Sequence, residues 1–192
     1  MRQKEIAEDV INFLLGIPEI KCCNISGSLL NGDFDEYSDI DLEIEISGVD
    51  NGVFVTKLPA LFRQKYKISF VNFAVSLVPE VYLVSMGLSN ESPFMFVDIT
   101  CTASPHIQTM QKEDFSLLNN LIDHTILVLI INLKHFIRGE DCNASIKKMH
   151  DRLFTAIESK DEFTMLKETF EWLKDNAPIK YCQYMDGLSG YF

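Results

Sequence analysis

The chain has 192 residues, 47% of them apolar and 11% aromatic, and a formal net charge of −11. That length suits one domain or two small ones, and the apolar share is enough for a buried core, so a soluble globular protein is expected. The negative charge argues against a nucleic-acid polymer as partner, because wrapping a phosphate backbone takes a basic footprint; a local basic patch would still suffice for one phosphorylated small molecule.

The opening "MRQKEIAEDVINFLLGIPEI" mixes charge into its apolar residues, unlike the uninterrupted apolar stretch of a secretory signal. Ile6, Val10, Phe13 and Leu14 share one helical face, which Gly16 and Pro18 terminate. Residues 20–26 read as a strand and 27–33 as a turn that opens a short helix. Residues 39–46 alternate throughout, with Ile40, Leu42, Ile44 and Ile46 on one face and Asp39, Asp41, Glu43 and Glu45 on the other. The stretch "SGVDNG" reads as a loop, followed by a helix near 53–65 with Arg63, Lys65 and Lys67 at its end. Three β-rich runs come next, at 67–77, 80–87 and 94–102, separated by Pro79 and by "SNESP".

From about residue 110 the pattern turns helical. Residues 117–138 read as one long helix closed by Gly139. Its apolar run "TILVLIINL" is too short to span a bilayer, and no membrane association is expected. Ile146, Met149, Leu153, Phe154 and Ile157 mark a second amphipathic helix, and Phe163, Leu166, Phe170 and Leu173 a third. The expected fold class is therefore α+β: a mixed β-sheet core flanked by helices over 1–108, followed by a C-terminal helical bundle over 109–192.

Cys22, Cys23, Cys101, Cys142 and Cys182 are odd in number and lack metal-ligand spacing, so reduced thiols and a cytoplasmic setting are expected. His124 and His135 fall on one face of the long helix, a placement that suits either a cleft lining or packing; His106 and His150 show no partner in the sequence. The apolar ending "LSGYF" suits packing inside the chain or against a second copy, so a monomer or a homodimer is expected.

The acidic alternation calls for chemistry. Carboxylates at i and i+2 on a strand project the same way and repel unless something positive lies between them, and a hard divalent cation with a phosphate-bearing ligand is the usual remedy. Just upstream, Gly27 and Ser28 sit where a backbone can come close to a phosphate. Glu43 and Glu45 continue the face beyond this unit and are expected to be solvent-exposed or salt-bridged. Removing the charge of Asp39 or Asp41 is expected to leave the fold intact or steadier, since the repulsion goes with it.

The stretch "GSLLNGDFDEYSDIDL" resembles the signature of the nucleotidyltransferase superfamily that includes DNA polymerase beta, in which Gly-Ser is followed about ten residues later by Asp-apolar-Asp. Gly27, Ser28, Gly32, Ser38, Asp39 and Asp41 fall where that pattern expects them, and the match is tightest to small bacterial members that modify antibiotics or toxins. The resemblance implies a third carboxylate on a later strand, for which Asp98 in "FMFVDIT" is the candidate. It implies Asp39, Asp41 and Asp98 as catalytic residues and ligands of Mg²⁺, two ions in number. It further implies Gly27, Ser28 and Ser38 as nucleotide-binding residues, and an NTP, ATP first, as co-substrate. Asn31 stands where relatives often carry Arg or Lys; Lys134 and Arg138, at i and i+4 on the long helix, are the candidates to replace that nucleotide contact.

The activity so implied is metal-dependent transfer of NMP, AMP in the first instance, to a hydroxyl of a small-molecule or protein acceptor, with release of pyrophosphate. The alternative is a catalytically weak relative acting as a regulator or antitoxin-type binding module, which Asn31 favours and the intact Ser-Asp-Ile-Asp-Leu stretch opposes.

Overall fold

The computed structural model describes residues 2–75, 81–107, 110–155 and 160–192. The chain runs α1 (Arg2–Leu15), β1 (Ile20–Ile25), α2 (Gly27–Asn31), β2 (Ile40–Ile46), α3 (Asn51–Phe62), β3 (Ile68–Val75), β4 (Tyr82–Leu88) and β5 (Val97–Ala103). It continues with α4 (Lys112–Ser116), α5 (Leu121–Ile137), α6 (Asn143–His150), α7 (Glu162–Asn176), α8 (Pro178–Tyr184) and a 3-10 helix (Met185–Tyr191). The five strands form one sheet in the order β1-β2-β5-β4-β3, with β2 and β5 parallel and every other pair antiparallel. The fold is thus α+β, a mixed sheet flanked by helices. The expected division between 108 and 109, the break at Pro79 and the face position of Ile157 lie outside the described residues.

The alternation in β2 does what period-two patterning requires. Ile40, Leu42, Ile44 and Ile46 are buried in a cluster with Val10 and Leu14 of α1 and Val55 and Leu58 of α3, leaving Asp41, Glu43 and Glu45 to the opposite face. Phe70, Phe94 and Phe96 of the sheet half join a second buried cluster with Leu129, Ile130 and Leu133 of α5 and Leu166, Phe170 and Leu173 of α7. The C-terminal segment packs internally: Leu188 is buried and the Phe192 ring stacks on Phe170 at 4.4 Å between centroids.

Three boundaries differ from the sequence expectation, each for a local reason. The helix after "SGVDNG" starts earlier, at Asn51, because the Asp50 side chain caps it by accepting from the Val53 N–H at 2.9 Å. The helix marked by Ile146 stops at His150, so Leu153 and Phe154 lie in the turn beyond it. The long helix begins at Leu121 rather than Leu117, because Asn120 caps it by accepting from the Asp123 N–H at 2.8 Å.

That last boundary does more than start a helix. β3 lies at the edge of the sheet, where unpaired backbone groups need partners. The Asn119 side chain accepts from the Phe73 N–H and donates to the Phe73 carbonyl, both at 2.7 Å, as a neighbouring strand would. Asp123 accepts from the Val71 N–H at 3.2 Å. The start of α5 is thereby fixed to the sheet edge, and its far end is aimed along the sheet toward β2. Asn119→Ala, which leaves both Phe73 groups without this partner, is expected to cost about 2 kcal/mol in denaturant unfolding. A loss below about 0.5 kcal/mol would mean that water satisfies the edge equally well.

Candidate active site

Gly27 follows β1 with φ of +61°, a left-handed conformation that glycine adopts freely. A Cβ built there would lie 2.1 Å from Asp41 Oδ2. The missing side chain therefore makes room for a carboxylate arriving from the next strand, and the Ser26 N–H donates to the Asp41 carbonyl at 2.9 Å to hold the two segments together. Asn31, exposed, ends α2, and Gly32 at φ +82° turns the chain out of it.

Between α2 and β2 the chain folds into a tight loop around Asp35. Its N–H donates to Ser38 Oγ at 3.0 Å, Ser38 Oγ donates back to Oδ1 at 2.9 Å, and the Tyr37 N–H donates to Oδ1 at 3.0 Å. Arg138, which caps the C-terminal end of α5, then grips the same carboxylate with both arms, Nε to Oδ2 at 3.0 Å and Nη2 to Oδ1 at 2.6 Å, and reaches Ser38 Oγ at 3.3 Å. The guanidinium, helped by Ser38 and the Tyr37 amide, draws the Asp35 carboxyl down to about 2.

One turn earlier on α5, Lys134 Nζ donates to Asp39 Oδ2 at 2.7 Å. Both side chains are shielded, at 10% and 18% exposure, and the ammonium also lies 5.4 Å from the centre of the Phe96 ring. Asp39 directly precedes β2, Asp41 is the second residue of that strand, and the parallel register sets Asp41 opposite Asp98 of β5. Ser85 of β4, opposite Asp98 on its other side, donates to Asp98 Oδ1 at 2.8 Å. Burial, then the charge of Asp39, pushes the Asp41 carboxyl up, with Lys134 acting against them and Glu43 adding to them. Burial also pushes Asp98 up, to about 6, against the Ser85 hydrogen bond, and Asp39 and Asp41 add to the rise.

A cavity of about 300 Å³ opens at this point, its wall including Ser28, Ser38, Asp39, Asp41 and Arg138 together with Asp35. Gly27 and Lys134 reach it through Asp41 and Asp39, and Asp98 through its strand pairing with Asp41. The structure thus gathers the sequence candidates Gly27, Ser28, Ser38, Asp39, Asp41, Asp98, Lys134 and Arg138 into one region. Among the described residues no group of three or more His, Cys, Asp or Glu side chains stands arranged as a ready metal cage. The donor set nonetheless suits a hard cation: Asp39, Asp41 and Asp98 offer oxygen only, and burial, with the charge of Asp39 adding to it, raises both Asp41 and Asp98, a cost that a divalent ion would offset.

Asp35 and Ser85 were not singled out in the sequence. Asp35 and Ser38 carry a signal, an Asx-type turn at i and i+3, whereas nothing along the chain marks Ser85 as the neighbour of Asp98. Glu45 lies 3.5 Å from Lys21 and Glu43 is exposed, in keeping with their expected roles. Lys65 pairs with Asp9. The histidines are mostly engaged: His124 contacts Asn72 Oδ1 at 3.0 Å and Arg152 at 2.6 Å, and His135 contacts Glu140 at 2.5 Å. His150, which showed no partner in the sequence, lies 2.6 Å from Glu168 Oε2 and stacks on Phe154.

No protein-family model matches the chain, and no curated protein does. Among solved structures the chain is similar to the polymerase core of TRAMP, a RNA surveillance complex, at 17% identity and a TM-score of 0.42 over 87% of this chain and 57% of that one. It is similar also to the GLD-2/RNP-8 complex, at 12% identity and a TM-score of 0.39 over 89% of this chain and 76% of that one. The chain therefore spans little more than half the length of the first of these. Likenesses of this strength carry no argument about activity, and the reading of the site rests on its own geometry.

The geometry separates two substitutions that looked alike in sequence. Asp41→Asn removes a repelling charge and is expected to stabilise the metal-free protein. Asp39→Asn strips a shielded ammonium of its anion and is expected to cost about 2 kcal/mol in denaturant unfolding. Equal effects from the two would contradict the ion pair. A pH effect follows from Asp98. The folded protein holds its proton up to about 6, while an unfolded Asp releases it near 3.8, so metal-free stability should fall as pH rises through that window. In Asp98→Asn the decline should flatten, as read by melting temperature across the range.

Proposed function

We propose that the protein is a metal-dependent nucleotidyltransferase that moves an NMP group, AMP from ATP in the first instance, onto a hydroxyl of a small molecule or a protein and releases pyrophosphate. The observation that carries the reading is the grouping of three carboxylates, Asp39, Asp41 and Asp98, at the ends of two parallel strands beside a cavity that also takes in Ser28. The likeness of residues 20–46 to the nucleotidyltransferase signature supports the same reading, and the proposed type is that of the small bacterial enzymes that modify antibiotics or toxins.

In this reading Asp39, Asp41 and Asp98 hold Mg²⁺, two ions in number, which supply charge neutralisation at the phosphates when bound. Gly27 and Ser28 face the β and γ phosphates, with Ser38 keeping the adjoining loop closed. The acceptor oxygen attacks the α-phosphorus, a new P–O bond forms as the bond to the bridging oxygen breaks, and pyrophosphate leaves in line. The acceptor's proton passes to Asp98 or to a more distant acid. Residues 1–108 serve as the core and 109–192 as the part that closes over the nucleotide. The cytoplasm, with its reduced thiols, is the proposed setting, and the active form is a monomer or a homodimer.

A regulator or antitoxin-type module is the second reading, and one observation favours it: an ammonium already occupies Asp39, where an active site would need a metal. Incubation with each labelled NTP, Mg²⁺ and a panel of hydroxyl acceptors separates the two. Transfer with pyrophosphate release, lowered at least about a hundred-fold in both Asp39→Asn and Asp41→Asn, is the expected result. Full transfer by either variant would refute the metal assignment, and nucleotide binding indifferent to Mg²⁺ with no transfer to any acceptor would favour the regulator.

A further inference from the structure

Lys134 in the last turn of α5 and Arg138 at its C-cap sit one turn apart and face the same loop, yet they are held in different ways. Arg138 is locked: its planar fork matches Asp35 in two places and touches Ser38 besides. Lys134 makes one hydrogen bond to the carboxylate, at Asp39 Oδ2, from a flexible four-carbon stem and a compact point charge. The two shielded side chains of that pair leave little water to screen it. An ammonium on Asp39 Oδ2 and a divalent cation on the same carboxylate would set two positive charges within a few ångströms of each other in a partly dry site, so each weakens the binding of the other.

From this we infer that Lys134 is a resident counter-ion that links divalent-cation binding to nucleotide binding: it occupies Asp39 in the free protein and leaves it for the phosphates of an incoming nucleoside triphosphate, opening Asp39 to the metal. The inference rests on the nucleotidyltransferase reading and adds to it an order of events. The free protein binds divalent ions weakly, because each must displace a lysine. A bound polyphosphate removes that competitor by offering the ammonium several oxygens in place of one. Because such coupling is reciprocal, the factor by which nucleotide tightens the metal equals the factor by which metal tightens the nucleotide. The Phe96 ring lies 5.4 Å from the ammonium and offers it a second, weaker partner.

The test uses the full chain and Mn²⁺ as the probe, with binding followed by electron paramagnetic resonance or calorimetry. Lys134→Met keeps the stem and removes the charge. Without nucleotide it should bind Mn²⁺ at least ten-fold more tightly than the wild type, and in the presence of Mg²⁺ it should bind a non-hydrolysable ATP analogue at least ten-fold more weakly. In the wild type, saturating analogue should tighten Mn²⁺ by ten-fold or more; in Lys134→Met the gain should fall below two-fold. Lys134→Arg, which keeps a cation, should bind Mn²⁺ as weakly as the wild type, and Lys148→Met, an exposed lysine on α6, should match the wild type throughout. Should Lys134→Met prove hard to fold, the rise in melting temperature on adding Mn²⁺ reports the same difference and should be larger in the variant. Equal Mn²⁺ affinity in wild type and Lys134→Met overturns the inference, whatever the nucleotide data show. Tighter Mn²⁺ in the variant with no nucleotide bound by either protein overturns the function proposed above, and the coupling falls with it.

Discussion

The crowding of like charges at the ends of β2 and β5 is the constraint around which the structure is arranged. Asp39, Asp41 and Asp98 come together because a two-residue step along one strand and a one-strand step across the sheet are both short, and half-burial then raises the cost of holding them charged. The fold meets that cost with three devices. Lys134 places its ammonium on Asp39, Ser85 donates to Asp98, and Gly27 gives up a side chain so that Asp41 can lie against backbone. None of the three removes the cost entirely: burial first, and the charge of Asp39 after it, keeps the carboxyls of Asp41 and Asp98 elevated. A site so balanced is ready for more positive charge.

The cations reach the site only because α5 is aimed at it. Asn119 and Asp123 bind the helix start to the backbone of β3, on one edge of the sheet, while Lys134 and Arg138 near its end clasp Asp39 and Asp35 beside β2. Between those anchors, Leu129, Ile130 and Leu133 pack with Phe70 and Phe96 of the sheet, so the helix is seated along its length. The apolar contacts supply the bulk of the binding between helix and sheet, and the polar contacts at the two ends determine which turn faces which residue. A shift of α5 by a single residue would carry Lys134 about 100° around its axis and away from Asp39.

Much of this was readable before any coordinates. Period-two alternation located β2 and its buried face, and a glycine followed by a small hydroxyl residue marked the turn ahead of it. Asp98 stood out because an acid inside an apolar strand needs a reason. What escaped the sequence were relations between distant segments. The start of α5 was misplaced because Leu117 and Leu118 extend its apolar pattern, whereas the deciding residues are Asn119 and Asn120, whose partners lie in β3 and in the first turn of the helix itself. Ser85 is an ordinary serine until the strand order brings it beside Asp98. Lys134 and Arg138 could be recognised as cations on one helical face, but their partners, Asp39 and Asp35, depend on the packing of a helix against a loop about a hundred positions away.

The two cations also explain why the loop between α2 and β2 is built as it is. A planar guanidinium is well matched to a fixed carboxylate, and Asp35 is fixed: Ser38 and the Tyr37 amide hold its oxygens in place before Arg138 arrives. Asp39 is met instead by a lysine, whose single charge needs only one carboxylate oxygen, Oδ2. Exchanging the two side chains would put a rigid fork where one donor is accepted and a lone ammonium where two are wanted, weakening both pairs at once. The assignment of Arg to Asp35 and Lys to Asp39 therefore divides the labour: the guanidinium holds the loop through two carboxylate oxygens, and the ammonium neutralises a carboxylate of the cavity wall through one.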